Sequence, residues 1–267
     1  MTGVDSGSHC RPGKSRAWLC ALLAAFALLA TACSSEAHSR AVRLPKTPQS
    51  RSALSRVVVV SAADTGSVPS SVILATLEES VPMYGSPSGR PTGTVPGTWH
   101  GSPSILPVLL QEKGYLEVRL AQRPNGSTAW IKQVDVVLSS TPYRIVVHLA
   151  RRRLDLYDAG KLALEAPVGV GTNRYPTPAG HFFVAFVAAA PSPAYGPFVL
   201  VTSGHSNSIG DWEESGDALI AIHGPIGADA EIGTSGAQVS HGCIRLHIPD
   251  LVRLRPVPAG SPVDIVP

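Results

Sequence analysis

Two side chains in this 267-residue sequence are suited by type and position to nucleophilic chemistry: Cys243 and His223. Cys243 is the only cysteine beyond position 33. A thiol attacks carbon as its thiolate, so near neutral pH it needs a base or another source of positive potential. His223 closes the apolar run 218–222, twenty residues before the cysteine. That separation is too long for contact along one helix. The two meet only if the chain doubles back through residues 224–239, which makes them a candidate nucleophile and base on neighbouring strand ends.

The elements that must position them read as β structure. The chain has 24 Pro and 25 Gly with 6% aromatics, which favours turns and strands over long helices. Alternating or apolar runs at 143–149, 153–157, 162–166, 182–186, 198–202 and 263–266 predict strands, with the turn Asp158-Ala159-Gly160 between the second and third. The run 218–222 is continuously apolar, as a strand buried on both faces would be. Residues 248–254, with Pro249 in the first turn, predict a short helix. The expected fold class is mainly β: a β-rich catalytic domain over 140–267 with one or two short helices, preceded by a small β module over 70–139.

In that module the runs 72–77, 81–84, 105–110, 115–120 and 129–131 alternate with turn clusters, and Asn125-Gly126 is a strong hairpin signal. Five short strands imply a small barrel. Trp130 is open to two roles, core of that barrel or wall of a ligand groove.

The N-terminus reads as an address. Arg11, Lys14 and Arg16 precede the apolar stretch 18–29, which is too short to span a bilayer and suits a signal peptide over 1–32. Residues 33–69 are polar and without period, a tether interrupted by Val57-Val58-Val59-Val60, which fits either the tether or a strand of the next domain. Four cysteines, Cys10, Cys20, Cys33 and Cys243, form an even set, but two lie in the segment to be removed and Cys243 is left as a free thiol. Charged residues are 15% and the net charge is +3, which makes no case for a nucleic-acid partner.

Three of these stretches resemble known families. Ala221-Ile222-His223-Gly224, then Ile232-Gly233, then Ser240-His241-Gly242-Cys243-Ile244-Arg245-Leu246 is similar in order and spacing to the signature of the YkuD-type L,D-transpeptidases, which are cell-wall enzymes. The likeness spans 141–267 and includes Pro176-Thr177-Pro178-Ala179-Gly180 and Gly260-Ser261-Pro262-Val263. Tyr115-Leu116-Glu117-Val118-Arg119 with the segment 125–131 resembles a bacterial SH3-like domain. Leu28-Leu29-Ala30-Thr31-Ala32-Cys33 resembles a lipobox, in which Cys33 would be lipidated and become the mature first residue.

The first resemblance implies Cys243 as nucleophile, His223 as proton acceptor and donor, and the Gly224 carbonyl as the group orienting His223. It implies the N–H groups of Gly242 and Cys243 as oxyanion donors. Tyr195 would line the substrate channel or simply pack its loop. His241 would support the nucleophile loop or contact substrate. Arg245 would hold a substrate carboxylate or an acidic neighbour. The implied reaction joins peptidoglycan stem peptides by 3→3 cross-links through a cysteine thioester, with no cofactor and no metal, and with carbapenems acylating the same thiol. The implied form is a monomer, anchored by lipid on the outer face of the cytoplasmic membrane. Competing readings are an L,D-carboxypeptidase, a non-catalytic wall-binding lipoprotein, and a metal site built from His241, Cys243 and His247 with His205 or His223. The last lacks the paired short-range ligands of common zinc sites.

Overall fold

The computed structural model describes residues 57–58, 68–212, 216–234 and 236–267. Cys33, the signal segment and most of the tether lie outside the described residues. Residues from Ser52 onward cluster as one compact unit.

Ten strands come first: β1 (Val57–Val58), β2 (Val72–Thr76), β3 (Val81–Tyr84), β4 (Pro91–Val95), β5 (Thr98–Trp99), β6 (Ser102–Pro103), β7 (Ile105–Glu112), β8 (Tyr115–Arg119), β9 (Thr128–Lys132) and β10 (Val137–Thr141). They form a sheet in the order β10-β2-β7-β8-β9-β3-β4, with β1 paired to β7 and β5 and β6 in a separate ribbon. Val57-Val58 therefore belongs to the sheet, not to a tether. β4 and β10 were not expected. Their residues are exposed except for Val95 and Thr141, so they carry no apolar alternation to announce them. β10 also carries this sheet to Thr141, past the expected boundary at 139. Along β9 Ala129 and Ile131 turn inward while Trp130 stays half-exposed, so Trp130 is not core.

The second sheet contains β11 (Tyr143–His148), β12 (Arg153–Asp158), β13 (Lys161–Pro167), β15 (Gly180–Ala188), β16 (Val199–His205), β17 (Leu219–His223), β19 (Ile244–Arg245) and β20 (Pro262–Val266). Its order is β13-β12-β11-β20-β15-β16-β17-β19, and the pairs β11–β20 and β17–β19 are parallel. β14 (Val170–Gly171) and β18 (Gln238–Ser240) form a parallel ribbon beside it, and α1 (Ile248–Arg253) caps the core through Leu251. The β12–β13 turn places Ala159 and Gly160 at positive φ (49° and 78°), as a tight two-residue hairpin requires.

β15 has a different core on each face. Phe182 and Val184 join the core of the second sheet with Ile145, Leu200, Ile222 and Ile244. Phe183 and Ala185 point the other way, into the core of the first sheet with Leu106, Leu116 and Ile131. A strand buried on both faces reads as an unbroken apolar run, and Phe182-Phe183-Val184-Ala185 is one.

Candidate active site

Parallel pairing of β17 with β19 sets the site. Ile222 lies opposite Ile244 and His223 opposite Arg245, which puts Cys243 level with Ala221. Side chains alternate across a strand, so one face carries Ile220, Ile222, Ile244 and Leu246 into the core. The other face carries Ala221, His223, Cys243 and Arg245 into a cavity of about 280 Å³. Val199 and Val201 of β16 floor the same cavity, and Tyr195, Trp212 and His241 wall it.

His223 is 3% exposed. Its Nδ1 lies 2.7 Å from the Gly224 carbonyl, which can only accept, so Nδ1 carries the proton and Nε2 keeps its lone pair. Gly224 is held in turn by its N–H, which donates to the Tyr195 carbonyl at 2.8 Å. A side chain there would meet the Tyr195 backbone at 2.8 Å. Tyr195, on a 3-10 turn at Pro193–Tyr195, also lays its ring 4.8 Å from the His223 ring. Burial lowers the His223 pKa to about 4; the Gly224 carbonyl works against this and Arg245 adds to it. Burial pushes the Cys243 thiol up, against the pull of the Ala221 backbone and Arg245. At neutral pH the cavity therefore holds a neutral imidazole and a neutral thiol. The thiol sits 4.0 Å from the Leu219 carbonyl.

The loop that leads to Cys243 is braced at each peptide. Ser240 Oγ donates to the Cys243 carbonyl at 2.6 Å and accepts the Gly242 N–H at 3.1 Å. The Gly242 N–H, expected as an oxyanion donor, is thus engaged by Ser240 Oγ here. The Cys243 N–H meets no acceptor among the described residues. Gly242 has φ +122°, and a Cβ there would press on Ile220 Cδ1 at 2.8 Å, so only glycine fits. Buried Thr177 fixes the same peptide: its Oγ1 donates to the Gly242 carbonyl at 2.7 Å and accepts the Gly171 N–H at 2.9 Å.

His241 is exposed and packs between the rings of Tyr175 (4.6 Å) and Trp212 (5.0 Å). Arg245 reaches the Pro225 carbonyl at 3.4 Å, and no carboxylate pairs with it among the described residues. His247 turns to Asp229 at 3.1 Å and His205 to the Ala121 carbonyl at 2.8 Å, so the residues of the alternative metal site diverge. Among the described residues no group of three His, Cys, Asp or Glu is placed to hold a metal ion. Thr177, Tyr175 and Trp212 were not predicted as site residues. Thr177 had a signal, since it sits inside Pro176-Thr177-Pro178-Ala179-Gly180; Trp212 had none.

The model of the L,D-transpeptidase catalytic domain called YkuD matches residues 142–265. The chain is 35% identical over 127 residues to a Bacillus licheniformis protein named as L,D-transpeptidase YkuD, a match over 47% of this chain and 67% of that one. The chain belongs to the YkuD-type L,D-transpeptidase family. It is also 30% identical over 175 residues to ErfK/SrfK of Salmonella typhimurium, named in the same way, across 59% of this chain and 54% of that protein. Among solved structures, a Cys-to-Ser mutant of an Enterococcus faecium L,D-transpeptidase aligns at 24% identity and TM-score 0.37, over 46% of this chain and 49% of that one. This chain therefore spans about half the length of two of these relatives.

Proposed function

We propose that this protein is a peptidoglycan L,D-transpeptidase that forms 3→3 cross-links through a thioester on Cys243. The observation that carries the reading is the face shared by β17 and β19, where His223, its Nδ1 tied to Gly224, and Cys243 open into one largely apolar cavity. In the first half-reaction Sγ attacks the carbonyl of the L-centre next to a terminal D-residue. The thiol proton passes to His223 Nε2, the S–C bond forms, and the Cys243 N–H receives the oxyanion. The C–N bond then breaks and His223 returns the proton to the departing amine. In the second half an amine of another stem peptide loses its proton to His223 and displaces the thiolate, which regains that proton.

The positively charged Arg245 on the cavity wall suits a carboxylate of the donor stem. Cys33 as a lipidated first residue, a tether leading to the first sheet as an SH3-like wall-binding module, and carbapenem acylation of Cys243 complete the proposal. The site is then on the outer face of the cytoplasmic membrane. Positioning of the acceptor amine favours transfer over hydrolysis. The test incubates a tetrapeptide-stem donor with and without a diaminopimelate-bearing acceptor and weighs the products. Cross-linked dimer is expected. Free tripeptide dominating at high acceptor concentration makes the protein an L,D-carboxypeptidase.

A further inference from the structure

The wall of the cavity that contains Trp212 is held from outside the catalytic sheet. Residues 120–127, the turn between β8 and β9, reach across to the segment that follows β16. The Asn125 amide closes a two-way pair with the backbone of His205: the His205 N–H donates to Oδ1 at 2.9 Å and Nδ2 donates to the His205 carbonyl at 2.8 Å. This is how a neighbouring strand would bind that residue, and it lies where β16 ends. Arg123 then spreads over the next turn. Nη1 donates to the Ser206 carbonyl at 3.0 Å, Nη2 to the Ile209 carbonyl at 3.3 Å, and Nε and Nη2 to Asp217 Oδ1 at 3.1 and 2.9 Å.

An exposed ion pair alone is weak. A planar guanidinium bound to two carbonyls and one carboxylate has another effect, because it fixes three points of a loop relative to one another. The loop so fixed supplies Ser206, Ile209 and Trp212 to the cavity, and the Trp212 N–H donates to the Asp217 carbonyl at 2.9 Å. Trp212 in turn packs on His241, two residues before the nucleophile.

We propose that Arg123 and Asn125 of the N-terminal sheet are positioning residues of the active site: they set the Ser206–Ile209–Trp212 wall against which the donor stem peptide is held. Neither touches the reacting atoms. The inference rests on the reading of this cavity as the donor's site. It makes the first sheet part of the catalytic apparatus, whatever else that sheet binds.

The test compares the full chain with Arg123→Lys, which keeps the charge and loses the fork, and Asn125→Ala. Three readouts are taken: hydrogen exchange of residues 205–212, alkylation of Cys243 by iodoacetamide, and steady-state transfer from the tetrapeptide donor. The expected result is faster exchange at 205–212, unchanged alkylation, and KM for the donor raised about tenfold with kcat little changed, since the lost contacts fix the wall against which substrate lies and not the reacting bond. Exchange unaltered in both variants, or altered with KM and kcat both at wild-type values, overturns the proposal. So does an equal loss of alkylation and turnover, which marks general damage. If the wild type itself turns over no tetrapeptide, the functional reading fails alone. Exchange at 205–212 together with alkylation by a bulky maleimide then decides the positioning claim: faster bulky alkylation in the variants supports it, and unchanged rates end it.

Discussion

At the residue scale the chemistry turns on where one proton rests. In the proposed mechanism His223 takes the Cys243 thiol proton, and burial keeps His223 neutral down to about pH 4. The acid limb of kcat/KM should therefore fall near pH 4, where an ordinary histidine would lose its base function near 6.5. A limb near 6.5 in the free enzyme would mean that His223 is hydrated or is not the base. Stability carries the same sign. The unfolded chain takes a proton at 6.5 that the folded chain refuses until about 4, so this contribution is whole above 6.5 and is lost as pH falls through that window. Urea unfolding of wild type and His223→Gln at pH 7 and pH 4.5 should show the wild type losing more. His223, Gly224 and Cys243 were legible because a motif fixes their types and order. The engaged state of the Gly242 N–H was not, because it depends on which way the Ser240 hydroxyl points.

At the element scale the loop that leads to Cys243 is a short connection locked by side chains from elsewhere. Thr177→Val keeps the shape and removes the hydroxyl that binds the Gly242 carbonyl and the Gly171 N–H. It should lower kcat by roughly ten- to a hundredfold, because a misplaced nucleophile costs rate before it costs binding. Steady-state kinetics with an unchanged KM is the expected signature, and a wild-type kcat would remove Thr177 from the account. Gly242→Ala should fold and be inactive, since its Cβ meets Ile220 and its φ is positive; circular dichroism with an activity assay separates the two properties. Strands with apolar alternation, such as β11 and β12, and the continuously apolar β17 were readable within a residue or two. β4 and β10 were not, because a strand with an exposed surface is set by its neighbours and not by its own pattern.

At the scale of the whole molecule the two cores meet at β15. Phe183 is 1% exposed and completes the core of the first sheet while its neighbours complete the second. One strand with a face in each core couples them, so the chain from β2 onward should melt in a single transition. Phe183→Ala should lower that transition by about 3–5 kcal/mol. Two well-separated steps in calorimetry would contradict the coupling. This arrangement was only half legible. The apolar run in β15 marks a strand buried on both faces, but nothing in the run says that the second face belongs to the preceding sheet.

The central claim is that Cys243 carries the substrate's acyl group between the two half-reactions. Mass spectrometry of the intact protein, mixed with a tetrapeptide-stem donor and quenched in acid before acceptor is added, tests it most directly. Wild type should gain the mass of the donor less its terminal D-residue, mapped to the peptide holding Cys243, while Cys243→Ala gains nothing. An adduct on Cys243→Ala, or turnover by the wild type with no adduct at any quench time, would contradict the account.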